Sequence, residues 1–267
     1  MEYLGSLGRL VGLKCPSSER IQSADRYVTS TTVEGRRRAQ VRPASPRTWD
    51  LSVGVATPAE LAVLSDFLSG AWGAGPWHWV PVPAQRGNLL TPREASLVER
   101  ASVSALSVQD AGPVRDAEGA WAPRSVTVTI SSGWVALARG VPVLEGRPFT
   151  FSCDVQGDAA PGQVQVAFLD AAGTALSNVT AAAPTPGMRR VSVTSTVPLG
   201  AVQAQVGVRS QTVVATRPQA TWTSGPVPYS AGHGCRSAVV DGWSEDLLVA
   251  NSFGTYSNSS FSIVEVS

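Results

Sequence analysis

Trp72-Gly-Ala-Gly-Pro-Trp-His-Trp-Val-Pro-Val-Pro-Ala-Gln-Arg-Gly-Asn-Leu-Leu-Thr-Pro92 separates two grammars within one chain. It holds three of the eight tryptophans, and its prolines punctuate a strand around Trp77-His-Trp79. Upstream lies an arginine-bearing β segment with one helix. Downstream the chain is low in charge, rich in Val, Thr, Ala and Ser, and patterned as short strands. Asn88-Leu-Leu-Thr-Pro92 reads as the handover between two domains.

Working upstream, Thr48-Trp-Asp-Leu-Ser-Val-Gly-Val55 alternates, with Trp49, Leu51, Val53 and Val55 on one face, the mark of a half-buried strand. Thr57-Pro-Ala-Glu60 then supplies a helix start: threonine as N-cap, proline at the first helical position and glutamate closing a capping box. Leu61, Leu64, Phe67, Leu68 and Ala71 follow at helical spacing as one apolar stripe, and Gly70 or Gly73 ends the helix. Tyr27-Val-Thr-Ser-Thr-Thr-Val33 is β-branched and runs into Glu34-Gly-Arg-Arg-Arg38, a turn with three consecutive positive charges. That turn is a solvated loop or a contact to an acidic neighbouring subunit. Tyr3, Leu4, Leu7, Leu10, Val11 and Leu13 form an opening strand or apolar arm.

Downstream, Ser125-Val-Thr-Val-Thr-Ile130, Phe149-Thr-Phe-Ser-Cys-Asp-Val155, Gln163-Val-Gln-Val-Ala-Phe-Leu169, Arg190-Val-Ser-Val-Thr194 and Val202-Gln-Ala-Gln-Val-Gly-Val208 alternate between turn signals such as Asp170-Ala-Ala-Gly173. Roughly eight such strands predict a β-sandwich or jelly roll over 93–228. Ser237-Ala-Val-Val-Asp-Gly-Trp-Ser-Glu-Asp-Leu-Leu-Val-Ala250 reads as a hairpin turning at Asp241-Gly242, and residues 259–267 as a terminal strand. Two strands alone are marginal, so 229–267 are expected to complete domain 1–92. The predicted fold is thus mainly β: an N-terminal β domain with one helix, and an inserted β-sandwich or jelly roll.

A hydrophobic fraction of 43% against 15% charged residues is enough for a real core. A net charge of +1 argues against nucleic-acid or acidic-membrane binding. Lys14 is the sole lysine, a bias that GC-rich codon usage explains. The three cysteines, Cys15, Cys153 and Cys235, are too scattered for a disulfide framework or a metal motif, which fits folding in a reducing cytoplasm. Neither a signal peptide nor a membrane-spanning apolar run is present, so a soluble protein is expected.

The chain resembles minor tail proteins of siphovirus-type phages of high-GC Gram-positive hosts, in particular the distal tail protein class. The resemblance is carried in order by Thr57-Pro-Ala-Glu60 with the helix and Trp77-His-Trp79, by Gly146-Arg-Pro-Phe-Thr-Phe-Ser152 with Arg217-Pro-Gln-Ala-Thr-Trp-Thr-Ser-Gly225, and by Gly232-His-Gly-Cys235 through Val266. It implies a ring-forming N-terminal β domain with an inserted jelly-roll sandwich like a carbohydrate-binding module, and a homo-oligomeric ring, usually a hexamer, at the virion tail tip, assembled in the host cytoplasm. The implied partners are the tail tube protein, the tail hub, other minor tail proteins and, through the sandwich, host-surface glycan.

No catalytic, cofactor or metal residue is expected. His78 and His233 are the only imidazoles available as a base, and no close-spaced ligand pair suits zinc. Glycoside hydrolysis needs two placed carboxylates, and Asp110, Asp116 and Glu118 beside Trp121 are the one cluster to weigh, as solvated acids or as calcium or sugar contacts. Trp121, Trp134, Asp116 and Glu118 are the candidate glycan contacts, Trp121 foremost because its loop is polar and rich in Pro and Gly. Tyr3, Leu4, Leu7, Arg36, Arg37, Arg38, Trp77 and Trp79 are the candidate subunit contacts, the last two otherwise packing the helix onto its sheet. The rival functions are a stand-alone carbohydrate-binding module or adhesin, and a tail-associated glycan hydrolase.

Overall fold

A computed structural model describes residues 1–23, 27–41, 46–99, 107–129, 133–157, 161–184, 187–209, 212–251 and 254–266. The chain is mainly β. It opens with β1 (Glu2–Ser6), β2 (Arg9–Leu13), β3 (Ser18–Ser23), β4 (Tyr27–Thr31), β5 (Arg37–Val41), β6 (Arg47–Ala56), α1 (Pro58–Leu68) and β7 (Trp77–Val80). Two short helices follow, α2 (Val82–Arg86) and α3 (Pro92–Ala95). Next come β8 (Ser107–Arg115), β9 (Trp121–Thr129), β10 (Val135–Pro142), β11 (Pro148–Gly157), β12 (Gln163–Leu169), β13 (Ala175–Ala182), β14 (Arg189–Thr196), β15 (Gln203–Arg209) and β16 (Thr212–Thr221). The chain ends with β17 (Cys235–Asn251) and β18 (Gly254–Glu265).

Two compact units result, Met1–Gly5 with Val11–Trp79 and Arg236–Ser267, and Ser6–Leu10 with Val80–Cys235. The division falls at Trp79/Val80 and Cys235/Arg236, away from the Pro92 and Pro228 boundaries read from the sequence. The reason is Asn88, which is fully buried and hydrogen-bonded to β16, so 80–92 belongs with the sandwich.

The first unit is built on a seven-stranded sheet in the order β2-β1-β7-β17-β18-β6-β3. Trp49, Leu51 and Val53 of β6 are buried and alternate with part-exposed residues, while Val55, read as part of the same face, is 58% exposed. Thr57 caps α1: its hydroxyl accepts from Glu60 N at 3.3 Å, and the Glu60 carboxylate accepts from Thr57 N at 2.8 Å. That backbone hydrogen bond holds the Glu60 carboxyl below its ordinary value. Thr57→Ala should cost about 1 kcal/mol in chemical denaturation, and no measurable change would remove the cap as a determinant of this helix. Leu61, Leu64 and Phe67 are the buried stripe; Leu68, the last helical residue, and Ala71, beyond the helix end, are exposed.

Trp77 meets Phe67 edge-on at 5.1 Å, and Trp72 stacks on Phe67 at 5.4 Å. Tyr3, Leu4, Trp77 and Trp79 are all buried in the chain's own core, which corrects their reading as subunit contacts: the opening segment is two strands of the sheet, not a free arm. The expected hairpin at Asp241-Gly242 is likewise a bulge within one long strand. Asp241 pairs with Ser262 and Ser244 with Ser260, and Gly242 sits at φ +66°.

His78 of β7 is largely buried, and desolvation followed by the charge of Arg236 lowers its pKa from 6.5 to about 4. A histidine kept neutral in the fold but free to protonate when unfolded stabilises fully above pH 6.5, and that contribution is lost as pH falls toward 4. The loss should reach on the order of 3 kcal/mol. Urea unfolding at successive pH values checks this: His78→Gln should flatten the slope between pH 6.5 and 4, and an unchanged slope would assign it to another group.

The second unit is a β-sandwich of a four-stranded sheet, β10-β15-β12-β13, and a five-stranded sheet, β14-β11-β16-β9-β8. Phe149 of β11 meets Phe168 of β12 edge-on at 5.7 Å, fixing the inward face of both sheets. Pro218 lies in β16, a central strand of its sheet, where it would normally break the ladder. A bulge accommodates it, with Arg217 at φ +51° and the register against β11 shifting between Ser152 and Asp154.

Candidate functional site

The most open aromatic surface of the sandwich is the β8–β9 hairpin. Asp116 makes its turn: Asp116 N donates to Ala120 O at 2.9 Å, and Asp116 Oδ1 accepts from Glu118 N and Ala120 N, both at 2.9 Å. This places Arg115 and Trp121 opposite each other in the ladder. The Arg115 guanidinium lies 4.3 Å from the Trp121 ring centroid and donates to Gly119 O at 2.7 Å. Trp121 is nevertheless 61% exposed, so its ring presents apolar area to solvent beside a cation.

The other candidates separate from it. Asp116 is buried and ion-paired with Arg217, which corrects its reading as a solvated or sugar-contacting acid. Glu118 is exposed in the turn, and Asp110 is exposed on the edge strand opposite Val126. One member of the acid cluster is therefore committed to an ion pair inside the sandwich. Trp134 is half-buried and precedes β10 in the opposite sheet, so it belongs to a different layer from Trp121. Leu7 is half-buried, Arg36 and Arg37 are exposed, and the side chain of Arg38 lies outside the described residues.

Arg190 organises what the sequence did not reveal. It stands on the outer face of the five-stranded sheet, paired with Asp154 in the β11–β14 ladder. Its Nη1 donates to Asp154 Oδ1 at 3.1 Å and to Arg217 O at 2.6 Å, and its Nη2 donates to Ser152 Oγ at 2.8 Å and Gln219 Oε1 at 2.6 Å. Gln219 Nε2 passes the network on to Gly87 O at 2.7 Å and Pro228 O at 3.0 Å. Tyr229 lies beneath both guanidiniums, at 5.6 Å from Arg190 and 5.2 Å from Arg217, and its hydroxyl donates to Ala95 O at 3.3 Å. Burial raises the pKa of Asp154 and Arg190 pulls against it, while burial pushes the Cys153 thiol up to about 12 and leaves it inert. This polar face is sealed by segments of the unit itself, so it is not an open cleft.

Ser230 Oγ and His233 Nε2 lie 3.0 Å apart, a hydroxyl–imidazole pair on the loop after β16. Among the described residues no three metal-ligating side chains come together. A shallow groove of about 320 Å³ on the first unit is lined by Asp50, Ser52, Ser260 and Ser262, but Asp50 is engaged by Gln22 Nε2 and Ser262 Oγ, both at 2.7 Å.

No family model and no curated protein matches this chain. Solved structures do match over part of it. An enzymatically active domain of tailspike protein 4 from bacteriophage CBA120 is 11% identical, with a TM-score of 0.37 over 51% of this chain, which spans only 21% of that one. A carbohydrate-binding module of Cellvibrio mixtus lichenase 5A in complex with cellotriose is 16% identical, with a TM-score of 0.31 over 48% of this chain and 94% of that one. The C-terminal CBM6 of LamC from Zobellia galactanivorans is 18% identical, with a TM-score of 0.29 over 44% and 93%. At such identities and TM-scores, the likeness says nothing of what this chain binds.

Proposed function

We propose that the chain is a non-catalytic structural component of a phage tail tip, a ring-forming adaptor between tail tube and hub. Beyond the resemblance in its sequence, one observation supports this reading: the first unit's sheet is unfinished. β17 has 17 residues, while its neighbour β7 has only four, so most of that edge of β17 has no strand beside it among the described residues. An unpaired edge invites another chain, and a contact between two different surfaces under rotation closes a ring. Absolute mass in solution with negative-stain imaging is the test. Rings of one fixed number, six by the resemblance, support the adaptor; a monomer over the whole concentration range counts against it.

A second reading concerns the sandwich, and the exposed Trp121 carries it. The hairpin presents Trp121 and Arg115 to glycan, the ring stacking on a sugar face while the cation favours acidic polysaccharide. On a glycan array or by calorimetry with host-wall polysaccharide, Trp121→Ala should weaken binding about tenfold or more, whereas Trp134→Ala should not. Equal loss in both variants, or none in either, rules this hairpin out as the contact. A strict monomer that still binds glycan through Trp121 would instead mark a stand-alone binding module.

A further inference from the structure

The first unit carries two exposed surfaces of opposite charge. Among the described residues β4 and β5 pair with each other alone, as a separate two-stranded sheet joined by the Glu34-Gly-Arg36-Arg37 turn. Arg36 and Arg37 are exposed there; the one acid nearby, Glu34, lies 4.0 Å from Arg36 with both side chains about four-fifths exposed, too loose to neutralise the turn. The other is a stretch of β17 within the seven-stranded sheet. It carries exposed Glu245 and Asp246, immediately followed by Leu247 and Leu248, which are 65% and 45% exposed. Glu245 lies opposite Ser259 and Leu247 opposite Ser257 of β18, which pair in turn with Val53 and Ala56 of β6, while His78 of the four-residue β7 lies near Arg236, at the start of β17.

Each surface lacks what the other offers. Exposed Leu247 and Leu248 leave apolar area for a partner to cover, and among the described residues Glu245 and Asp246 form no ion pair. Among the described residues the arginine turn has only the loose Glu34 pair, leaving donors to spare. A net charge of +1 leaves no overall repulsion between copies, so local complementarity can set both encounter and register.

We propose that the Arg36–Arg37 turn of one copy docks on the Glu245–Leu248 edge of a second copy of this chain. The contact is head-to-tail: the ion pairs fix the register, and the incoming ribbon covers Leu247 and Leu248. It rests on the ring-forming reading and names the surfaces that would make the ring.

The test uses two full-length variants, Arg36→Glu with Arg37→Glu, and Glu245→Arg with Asp246→Arg. Melting curves matching the unsubstituted protein establish that both are folded. Sedimentation at low and high salt should show association weakened about tenfold or more in each variant alone, because like charges then face each other. Mixing the two in equal amounts should restore it, since each altered turn then meets an oppositely altered edge. Raising salt should weaken the unsubstituted assembly. If the protein assembles but both variants assemble equally well, this contact is wrong and the ring reading stands. Variants that weaken association but are not rescued on mixing also overturn the pairing. If the unsubstituted protein is monomeric throughout, both the contact and the ring reading fall.

Discussion

Arg190→Met should destabilise the sandwich by about 3–5 kcal/mol, because it leaves a buried carboxylate without its partner. The Asp154 side chain is 4% exposed, and Arg190 supplies its ion pair while also satisfying Ser152, Gln219 and the Arg217 carbonyl. Asp154→Asn removes the charge instead of stranding it, so the double variant should lose less than the two single losses combined. The pH dependence has a definite sign. Burial already raises the Asp154 pKa, and removing Arg190 raises it further above its unfolded value. A carboxyl with a raised folded pKa stabilises below its unfolded pKa and loses that contribution as pH rises through the folded one. The Arg190→Met deficit should therefore be largest near neutral pH and shrink on acidification. Urea midpoints for the four chains at neutral and acidic pH decide it; a cost below about 1 kcal/mol at neutral pH would mean that water reaches Asp154.

What the sequence made legible was local or periodic. The Thr57–Glu60 capping box depends on four adjacent residues, and the Trp49-Leu51-Val53 alternation on a sheet with one face covered. Thr91-Pro-Arg-Glu94 repeats the capping box at α3, but Pro after Asn-Leu-Leu-Thr also marks linkers, so the stretch reads equally as a seam. Asp241-Gly242 failed for a related reason: Asp-Gly favours a left-handed backbone, which serves a bulge as well as a turn, and only the partner strand's register separates the two. Trp121 could be singled out from its polar, Gly-rich surroundings. Asp116 beside it could not be separated from Glu118, because its fate depends on Arg217, a residue brought near by a bulge in another strand. The Arg190 layer was invisible for a more general reason. Thr150, Ser152 and Asp154 alternate with apolar residues as solvent-facing positions do, and nothing local says that the chain's own segments will cover them.

Asn88→Ala should be at least as damaging, at roughly 4 kcal/mol or more, since each buried partner left unsatisfied costs about 1–3 kcal/mol. The amide is completely buried and uses both ends. Nδ2 donates to Pro218 O at 3.2 Å and Ser230 O at 3.1 Å, while Oδ1 accepts from Leu90 N and Ala220 N, both at 3.1 Å. Its backbone is held too, with His233 N donating to Asn88 O at 3.0 Å and Gly234 N to Leu90 O at 3.0 Å. The approach is so close that a Cβ on Gly234 would collide with the Leu89 carbonyl. One side chain thus joins three segments, the end of β16, the residues before α3 and the loop after Pro228. Asn88→Asp separates the contributions. The carboxylate still accepts from Leu90 N and Ala220 N, but it faces the Pro218 and Ser230 carbonyls without a proton to give. Protonation restores one donor, so Asn88→Asp should be as unstable as Asn88→Ala near neutral pH and recover part of the loss as pH falls. Urea unfolding of both variants across pH reads this out. A pH-independent Asn88→Asp, or an Asn88→Ala that costs less than about 1 kcal/mol, would show that water replaces the amide and that β16 and its covering segments are held by apolar packing instead.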